Sequence, residues 1–318
     1  MKAIGLNNYG GPEVLEVVEL ETPSPKAGEV RIKVSAAGIN PVDVMVRDGL
    51  LAAFFADEPF PFVPGMDASG VIDSLGEGIS AESGLSLGQE VVTVVDNHGG
   101  YGAYSEYICV PASSVIAKPA NTTPESAASF LMNALTAQNA LDTLNLPMGS
   151  TVLVTGAAGA VGTYALVLAV NEGLNVATLA SESDSEFLRS LGAASVFTRE
   201  DDALEQIRAA YPQGVDAVID AAGLGQAIVP AIADGGMLIQ LRPTDDNFDP
   251  RITATFVNVR ERAQDQSVIA RLGEQVASGL LPVRVAAIFP ATEAVAAHQF
   301  FDEGGHRGRV ILDMTALG

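Results

Sequence analysis

Cysteine is nearly absent from this chain of 318 residues, since Cys109 is its only one. A single thiol cannot form an internal disulfide or build the thiolate clusters that hold structural zinc. Histidine is scarce as well, with only His98, His298 and His306. His98 stands beside two glycines without a second ligand at metal spacing, so we interpret it as a loop residue. The composition therefore excludes a disulfide scaffold and any multi-cysteine metal site.

Basic residues and long apolar runs are also in short supply. The 17 lysines and arginines face 39 aspartates and glutamates, which gives a formal net charge of -22. That charge repels nucleic-acid backbones and anionic lipid surfaces. No apolar run reaches the roughly 18 residues of a membrane span, and the first residues lack the apolar core of a signal peptide. We expect a soluble cytoplasmic protein without nucleic-acid or membrane partners.

A strand, a small-residue turn and a helix follow one another without a break at residues 151–171. β-branched residues are frequent in Thr151–Thr155, and residues 163–171 have helical spacing. In this context, small residues let the backbone approach a pyrophosphate, and free N–H groups at the helix start point at it. The predicted cofactor-binding residues of the turn are Gly156, Ala157, Ala158, Gly159, Ala160, Val161 and Gly162.

Strand and helix patterns alternate beyond this turn. Strands are predicted at Asn175–Ala180, 194–197, Val215–Asp220, 236–241 and 252–257, with helices at 184–191 and 204–210. Strands that alternate with helices predict a doubly wound parallel sheet with right-handed crossovers. A chain of 318 residues accommodates this α/β domain and a second domain of ordinary size.

The first ~120 residues have short alternating strands and glycine-rich turns, which are typical of a barrel-like β domain. One helix is predicted after Asn40, because Pro41 suits the first helical position and Gly49 ends the segment. A capping box at 122–125 and a helical period over 127–144 mark the change of composition. Strands predicted near the end of the chain could rejoin the first domain.

Residues 50–62 are unusually apolar for a loop. They include Phe54, Phe55, Phe60 and Phe62, and two prolines interrupt them. Such a segment either fills a gap in the core or lines a pocket for an apolar ligand. The residues alone leave both interpretations open.

Seven motifs, in this order along the chain, resemble the medium-chain dehydrogenase/reductase superfamily and, within it, the zinc-independent quinone oxidoreductase branch. They lie at residues 9–15, 37–43, 64–70, 100–107, 156–162, 215–223 and 306–312. The resemblance implies a GroES-like, β-rich catalytic domain formed by residues 1–122 and 263–318. It also implies an inserted Rossmann dinucleotide-binding domain at 123–262, an active site in the cleft between the domains, and a homodimer formed through the sheet edge near 252–257.

Zinc-using relatives carry a Cys-Gly and a Gly-His-Glu where this chain has Ala37-Gly38 and Gly65-Met66-Asp67. A catalytic zinc needs three protein ligands, so we expect no metal. Without a metal to polarise an alcohol oxygen, alcohol oxidation is disfavoured. The resemblance then implies hydride transfer from a nicotinamide cofactor to a small apolar electrophile, either a quinone or an α,β-unsaturated carbonyl.

The resemblance assigns catalytic positions to Asn40, Asp43 and Thr136. Asn40 could donate to a substrate oxygen or cap the helix that begins at Pro41. Thr136 matches a threonine near the nicotinamide, and is thus also a predicted cofactor contact, although a mid-helix threonine could bond its own backbone. Asp43 and Arg47 stand four apart on one helical face, so we interpret Arg47 as one partner of a structural ion pair.

Two hydroxyls found in several quinone reductases are missing. Met45 stands in place of a tyrosine, and Leu50-Leu51 replaces a second aromatic hydroxyl. The proton donor is therefore unassigned, with solvent as a candidate. The lost hydroxyls, together with the phenylalanines of residues 50–62, favour an apolar pocket in that loop.

The end of the second strand of the dinucleotide domain bears on the choice of cofactor. NAD enzymes hold an Asp or Glu there against the ribose, whereas this chain has Ser181, which leaves room for a 2′-phosphate. We therefore predict NADP(H). NAD(H) is the alternative, because Glu182 and Asp184 add negative charge.

The lysine and the adenine-stacking tyrosine of NADP(H)-preferring relatives are Asp184 and Thr198 here. Arg189 or Arg199 could compensate, although we interpret each as a solvated surface charge. Ala221 and Gly223, after the strand Val215–Asp220, complete the cofactor contacts that the resemblance implies.

The residues also bear on two other classes of protein. A short-chain dehydrogenase needs a tyrosine four residues before a lysine, and no tyrosine here has that spacing. A non-catalytic NADP(H)-binding protein of the same fold, with a redox-sensing or structural role, stays open because of the missing tyrosines.

Overall fold

The computed structural model describes residues 1–80, 83–242, 244 and 246–318. It divides the chain into two compact units: Met1–Met132 with Ala263–Gly318, and Asn133–Arg262. In the described residues the strands are β1 (Lys2–Leu6), β2 (Leu15–Glu19), β3 (Glu29–Gly38), β4 (Asp67–Leu75), β5 (Glu90–Val94), β6 (Tyr107–Pro111), β7 (Val115–Ala117), β8 (Thr151–Thr155), β9 (Asn175–Ala180), β10 (Ser195–Thr198), β11 (Val215–Asp220), β12 (Ile232–Gln240), β13 (Thr253–Phe256), β14 (Val285–Pro290) and β15 (Arg309–Asp313).

The α-helices lie between these strands or after them. They are α1 (Pro41–Arg47), α2 (Pro124–Ala127), α3 (Leu131–Leu144), α4 (Ala160–Asn171), α5 (Ser185–Ser190), α6 (Ala203–Ala210), α7 (Gln266–Ala277) and α8 (Ala294–Glu303). In the described part of the chain, no helix has both the length and the apolar character needed to cross a bilayer.

The first unit contains a seven-stranded sheet in the order β14-β15-β3-β4-β5-β7, with β6 paired to β3, and a hairpin of β1 and β2. All pairings are antiparallel except that of β14 with β15. Along β3, the alternate residues Val30, Ile32 and Val34 are buried in the core. The β-rich class predicted for this region is confirmed, and β15 brings the end of the chain back to β3.

The second unit contains a parallel sheet in the order β10-β9-β8-β11-β12-β13. This is the doubly wound arrangement of dinucleotide-binding domains. The strand order reverses between β8 and β11: β9 and β10 follow on one side of β8, and β11, β12 and β13 follow on the other. Ligands bind such sheets at the carboxyl ends of the strands beside that switch point. The predicted Rossmann-type sheet is confirmed, and the glycine turn after β8 stands at the switch point.

Helix α2 and helix α3 replace the single helix predicted over residues 127–144. Thr123 caps α2 by accepting a hydrogen bond from the Ser126 N–H at 3.3 Å, so the cap is one residue later than the predicted capping box. Helix α2 contacts β3 and β4. The first unit includes α2 and ends at Met132 before it resumes at Ala263.

Candidate functional site

The glycine turn joins β8 to α4 in the second unit. Gly156 has a φ of +58°, in the left-handed region that favours glycine. A Cβ atom on Gly162 would lie 2.4 Å from the Gly156 carbonyl oxygen, so helix and strand approach too closely there for any side chain. Gly159 is exposed and precedes α4, whose first N–H groups have no partners within the helix. The turn thus presents backbone donors at an accessible helix start.

A second turn, after β11, packs against the glycine turn. A Cβ on Gly156 would lie 3.2 Å from the Ala222 nitrogen and 3.3 Å from the Ala221 carbonyl carbon. Gly223 has a φ of +72° and open space around it. The structure therefore brings Ala221 together with the glycine turn at the switch point.

A hydrogen-bonded pair holds these two turns together. The Thr155 hydroxyl donates to Asp220 Oδ1 at 2.6 Å and accepts from the Ala222 N–H at 3.0 Å. Asp220 Oδ2 accepts from the Gly225 N–H at 2.8 Å. The sequence patterns did not point to this pair. Thr155 and Asp220 are the last residues of two predicted strands, however, and that shared position could have suggested that they lie close together.

The backbone of this region fits a dinucleotide. The close approach at Gly162 and the accessible helix start are the features that a pyrophosphate needs. Residues 156–162 are therefore the group that would hold the phosphates.

Ser181 follows β9 directly, and Arg199 follows β10. The Arg199 N–H donates to the Ala180 carbonyl at 3.0 Å, and the Arg199 guanidinium donates to the Ser181 hydroxyl. Arg199 is exposed, as predicted, but it is directed at the strand-end serine. Glu182 is exposed, whereas Asp184 is buried.

Asn40 and Asp43 lie together in the first unit, at the start of α1. Asn40 is the residue before Pro41, and its backbone N–H donates to Asp43 Oδ2 at 2.7 Å. The other carboxylate oxygen of Asp43 accepts from the Gly65 N–H at 3.0 Å. Gly65 has a φ of +106°, and a Cβ there would lie 2.7 Å from the Tyr104 ring. Asn40 and Asp43 are both fully buried.

Asp67 and Arg309 complete this buried polar cluster. The Asn40 side-chain amide donates to the Gly38 carbonyl at 3.3 Å and to Asp67 Oδ2 at 3.2 Å, while its oxygen accepts from the Arg309 guanidinium. Asp67 Oδ1 accepts from the Met132 N–H at 2.9 Å. The pairings of β3 with β4 and with β15 place these side chains together.

The predicted ion pair between Asp43 and Arg47 is wrong. Arg47 instead lies 2.9 Å from Asp302 and 2.7 Å from Asp48. Its guanidinium also donates to His298 Nδ1 at 3.1 Å. Arg47 turns away because the Asp43 oxygens are already occupied by backbone N–H groups.

Tyr104 connects His298 to Asp43. Because His298 Nδ1 accepts from Arg47, the imidazole proton belongs on Nε2, which lies 3.2 Å from the Tyr104 oxygen. The Tyr104 hydroxyl then donates to Asp43 Oδ2 at 3.4 Å. Tyr104, Asp67 and Arg309 lie in motifs that suggested the family, but the sequence did not identify them as members of one cluster.

Burial dominates the electrostatics of the cluster. It raises the pKa of Asp43 and that of Asp67 to about 6, although the charge of Arg309 and hydrogen bonds to each carboxylate oppose the shift. Burial, with the nearby charge of Arg47, lowers the pKa of His298 to about 3. Burial also raises the pKa of Tyr104 well above its ordinary value. The cluster therefore holds a neutral histidine and a neutral tyrosine.

Residues 50–62 contain both buried and exposed phenylalanines. Phe55 and Phe62 are only 2% and 6% exposed and belong to the core of the first unit, whereas Phe54 and Phe60 are 50% and 46% exposed. The Phe54 ring lies 5.2 Å from the His98 ring. One pair fills the core, and the other presents aromatic surface.

Thr136 lies in α3 of the second unit and is 9% exposed. The predicted site residues thus form two groups, one in each unit. Asn40 and Asp43 belong to the first unit, and Thr136, Ser181, Ala221, Gly223 and the glycine turn belong to the second.

Two family models match this chain. Residues 26–120 match the alcohol dehydrogenase GroES-like domain, and residues 191–312 match the zinc-binding dehydrogenase family. The matched regions cover most of the β-rich first unit and the later strands of the parallel sheet.

Relatives and a solved structure agree with these matches. The chain is 34% identical over 251 residues, 76% of its length, to 2-methylene-furan-3-one reductase of Solanum lycopersicum, but the match spans only 62% of that relative. It is 30% identical over 252 residues to the chloroplast envelope quinone oxidoreductase homolog of Arabidopsis thaliana, covering 76% of this chain and 75% of that protein.

A mycobacterial protein solved in complex with NADPH has the same fold. It superposes with a TM-score of 0.86 at 29% identity, covering 98% of this chain and 99% of that chain. This likeness, the two family models and the plant relatives agree with the motifs in the sequence. The chain belongs to the medium-chain dehydrogenase/reductase superfamily, in its quinone oxidoreductase-like branch.

Proposed function

We propose that this chain is an NADPH-dependent oxidoreductase that reduces a quinone or an α,β-unsaturated carbonyl without zinc. The observation that carries the proposal is the glycine turn at the switch point of the parallel sheet, where Gly162 admits no side chain. The names of the two plant relatives supply the substrate classes. A 2-methylene-furan-3-one has a C=C bond conjugated with a ketone, and a quinone is likewise electrophilic at carbon or oxygen.

The residues of the second unit bind and orient the cofactor in this proposal. Residues 156–162 donate backbone hydrogen bonds to its pyrophosphate, and Thr136, Ala221 and Gly223 are further contacts. When bound, NADPH supplies the hydride.

Asn40 is the proposed donor to the substrate oxygen, where negative charge develops during reduction. Both of its amide hydrogens are directed at protein acceptors, and the contact with the Gly38 carbonyl, at 3.3 Å, is the longer of the two. If a substrate oxygen replaced the Gly38 carbonyl as the acceptor, the hydrogen bond from Asn40 to Asp67 would remain. Asp43 anchors the Asn40 backbone and is therefore a positioning residue in this scheme.

Several features support the absence of a zinc requirement. Across the described ranges, no group of three or more His, Cys, Asp or Glu side chains is placed to hold a metal ion. The region matched to the zinc-binding family contains His298 and His306 but no cysteine. His298 is held in the core by Arg47 and Tyr104. Activity that persists after dialysis against a chelator, with no stoichiometric zinc by mass spectrometry, is the expected result.

Binding and turnover need separate measurements. NADPH binding is followed by nicotinamide fluorescence, and NADPH oxidation by absorbance with 1,4-benzoquinone, 9,10-phenanthrenequinone and a simple enone. We expect saturable binding and turnover of at least one acceptor. Absence of NADPH binding would contradict the whole proposal.

A non-catalytic NADP(H)-binding protein is the second candidate. It is favoured by the residues at the positions of the two missing hydroxyls, Met45 and Leu50-Leu51. Tight NADPH binding without turnover of any of the three acceptors would establish this alternative.

Variants of Phe54 and Phe55 test whether residues 50–62 line the substrate pocket or only fill the core. Phe54→Ala removes a half-exposed ring and should alter relative KM values for small and bulky quinones without a large loss of stability. Phe55→Ala removes a buried ring and should cost about 3–5 kcal/mol. An unchanged substrate profile in Phe54→Ala would remove this loop from the proposed pocket.

We also propose a homodimer that pairs through β13. This strand is at the edge of the parallel sheet, and Phe256 on it is 42% exposed. Light scattering after gel filtration should give twice the mass of 32.8 kDa. A monomeric mass would contradict the assignment.

A further inference from the structure

Two neighbouring strands of the parallel sheet end in side chains that contact each other. In the pairing of β9 with β10, Ala180 is opposite Thr198. The next residues along the two strands are Ser181 and Arg199, and the Arg199 guanidinium donates to the Ser181 hydroxyl. These residues lie at the carboxyl edge of the sheet, as the glycine turn does.

The backbone fixes Arg199 at this position. Its N–H donates to the Ala180 carbonyl at 3.0 Å, which continues the strand pairing by one residue. The side chain thus starts from an ordered strand end rather than from a free loop. Its exposure leaves the remaining guanidinium N–H groups accessible.

The charges around this pair are acidic. Glu182 and Glu200 are exposed next to Ser181 and Arg199, and the whole chain has a net charge of -22. An anionic ligand would be repelled here without a cation. A guanidinium beside a hydroxyl is a donor set that suits a phosphate, because the planar fork of arginine offers two parallel hydrogen bonds.

We infer that Arg199, with Ser181, is the specificity-determining contact for the 2′-phosphate of NADP(H). The inference rests on the proposed function, because the end of the second strand faces the adenosine ribose only when a dinucleotide lies across the switch point. Arg199 supplies the positive charge that the sequence lacks at residue 184. The contact of Arg199 with Ser181 aligns both groups before the ligand arrives.

Calorimetric titration of Arg199→Ala tests the inference without an assay of activity. The ligands are NADPH and NADH, and adenosine 2′,5′-bisphosphate with AMP as fragments that differ by the phosphate. Loss of a charge-assisted contact should weaken NADPH and the bisphosphate on the order of 10- to 100-fold. NADH and AMP should change by less than about twofold. Arg199→Lys, which keeps the charge but loses the fork, should fall between wild type and Arg199→Ala.

Arg189→Ala is the matched control, because Arg189 is an exposed arginine of the nearby helix α5 and its loss changes the net charge equally. It should preserve the ratio of NADPH to NADH affinity. Thermal melts confirm that each variant is folded, and Ser181→Asp gives an independent variant that should shift the preference towards NADH. If Arg199→Ala does not fold, the Lys and Ser181 variants decide the matter.

The outcomes separate the inference from the function on which it rests. A wild-type protein that binds neither nucleotide contradicts the proposed function. A wild-type protein that binds NADPH, with Arg199 variants that keep the wild-type affinity ratio, overturns the inference and leaves the proposed function intact. An equal effect of Arg189→Ala would show a general charge effect and would also overturn it.

Discussion

The candidate site of the first unit consists of buried charged side chains, whereas that of the second unit consists mainly of backbone groups. In the first unit, Asp43, Asp67 and Arg309 are charged side chains that are 0%, 1% and 5% exposed. In the second unit, Gly156 and Gly162 contribute backbone and no side chain, and the charged residue Arg199 is exposed. One site depends on two buried carboxyl groups beside one buried cation, and the other on close approach of the backbone.

Because of this difference, the two sites should respond differently to pH and to substitutions. Buried charges are costly to leave unpaired, so the first site is sensitive to pH and to the loss of a partner. A backbone cradle has no group that titrates near neutrality, but it has no room for an added carbon. Four predictions test this contrast.

The largest effect is expected from Arg309→Met. The variant leaves Asp43 and Asp67 without the cation that lowers the pKa of each, and should cost about 3–5 kcal/mol at about pH 7.5. The folded-state pKa of each carboxyl is about 6, above the ordinary value of 3.8. Their contribution to stability is therefore greatest at low pH and is lost as the pH rises through about 6. Urea denaturation should show a smaller loss at about pH 5.

Arg271→Met is the control for this variant, because Arg271 is an exposed arginine of α7 in the same unit. It should change stability by no more than about 0.5 kcal/mol. Equal losses for Arg309→Met at the two pH values would contradict the account of the cluster.

Gly162→Ala should have the next largest effect. The added Cβ would lie 2.4 Å from the Gly156 oxygen and 2.8 Å from the Ala157 Cα. We expect a loss of about 1–3 kcal/mol and NADPH binding weakened by at least roughly tenfold. Gly100→Ala is the matched change, since a Cβ there meets nothing within 4 Å. Unaltered NADPH affinity in Gly162→Ala would remove the turn from the cofactor site.

His298→Gln tests the pH sensitivity of the first unit. The folded-state pKa of His298 is about 3 against an ordinary 6.5, so only the unfolded chain takes up its proton as the pH falls below 6.5. The stability from this residue is complete above pH 6.5 and should decline on acidification by up to about 1.4 kcal/mol per pH unit. Asp43 and Asp67 act in the opposite direction. Urea denaturation from about pH 7 to about pH 4.5 should show a shallower decline in the variant.

Tyr104→Phe should have the smallest effect. It removes the hydroxyl that lies 3.4 Å from Asp43 and 3.2 Å from His298. The loss should be about 1 kcal/mol, with NADPH affinity unchanged because the proposed cofactor contacts belong to the second unit. Paired melting and titration experiments measure both quantities, and a weakened affinity would break the division of roles between the units.

Local patterns in the sequence were sufficient for many elements. Pro41 marked the start of α1, and the alternation of strands with helices indicated the parallel sheet. The glycine turn was recognised because its strand, loop and helix are consecutive in the chain. Such features depend on neighbours within a few residues, which a sequence displays directly.

Contacts between distant residues had to come from the folded chain. Tyr104 and His298 are 194 residues apart, and Asn40 and Arg309 are 269 apart. Helical spacing suggested Asp43 as the partner of Arg47, but backbone N–H groups occupy that carboxylate and Arg47 binds distant partners. Likewise, the composition of residues 50–62 could not separate buried Phe55 from exposed Phe54. A pattern shows which residues can pair or be buried, but the strand pairings determine which of them meet.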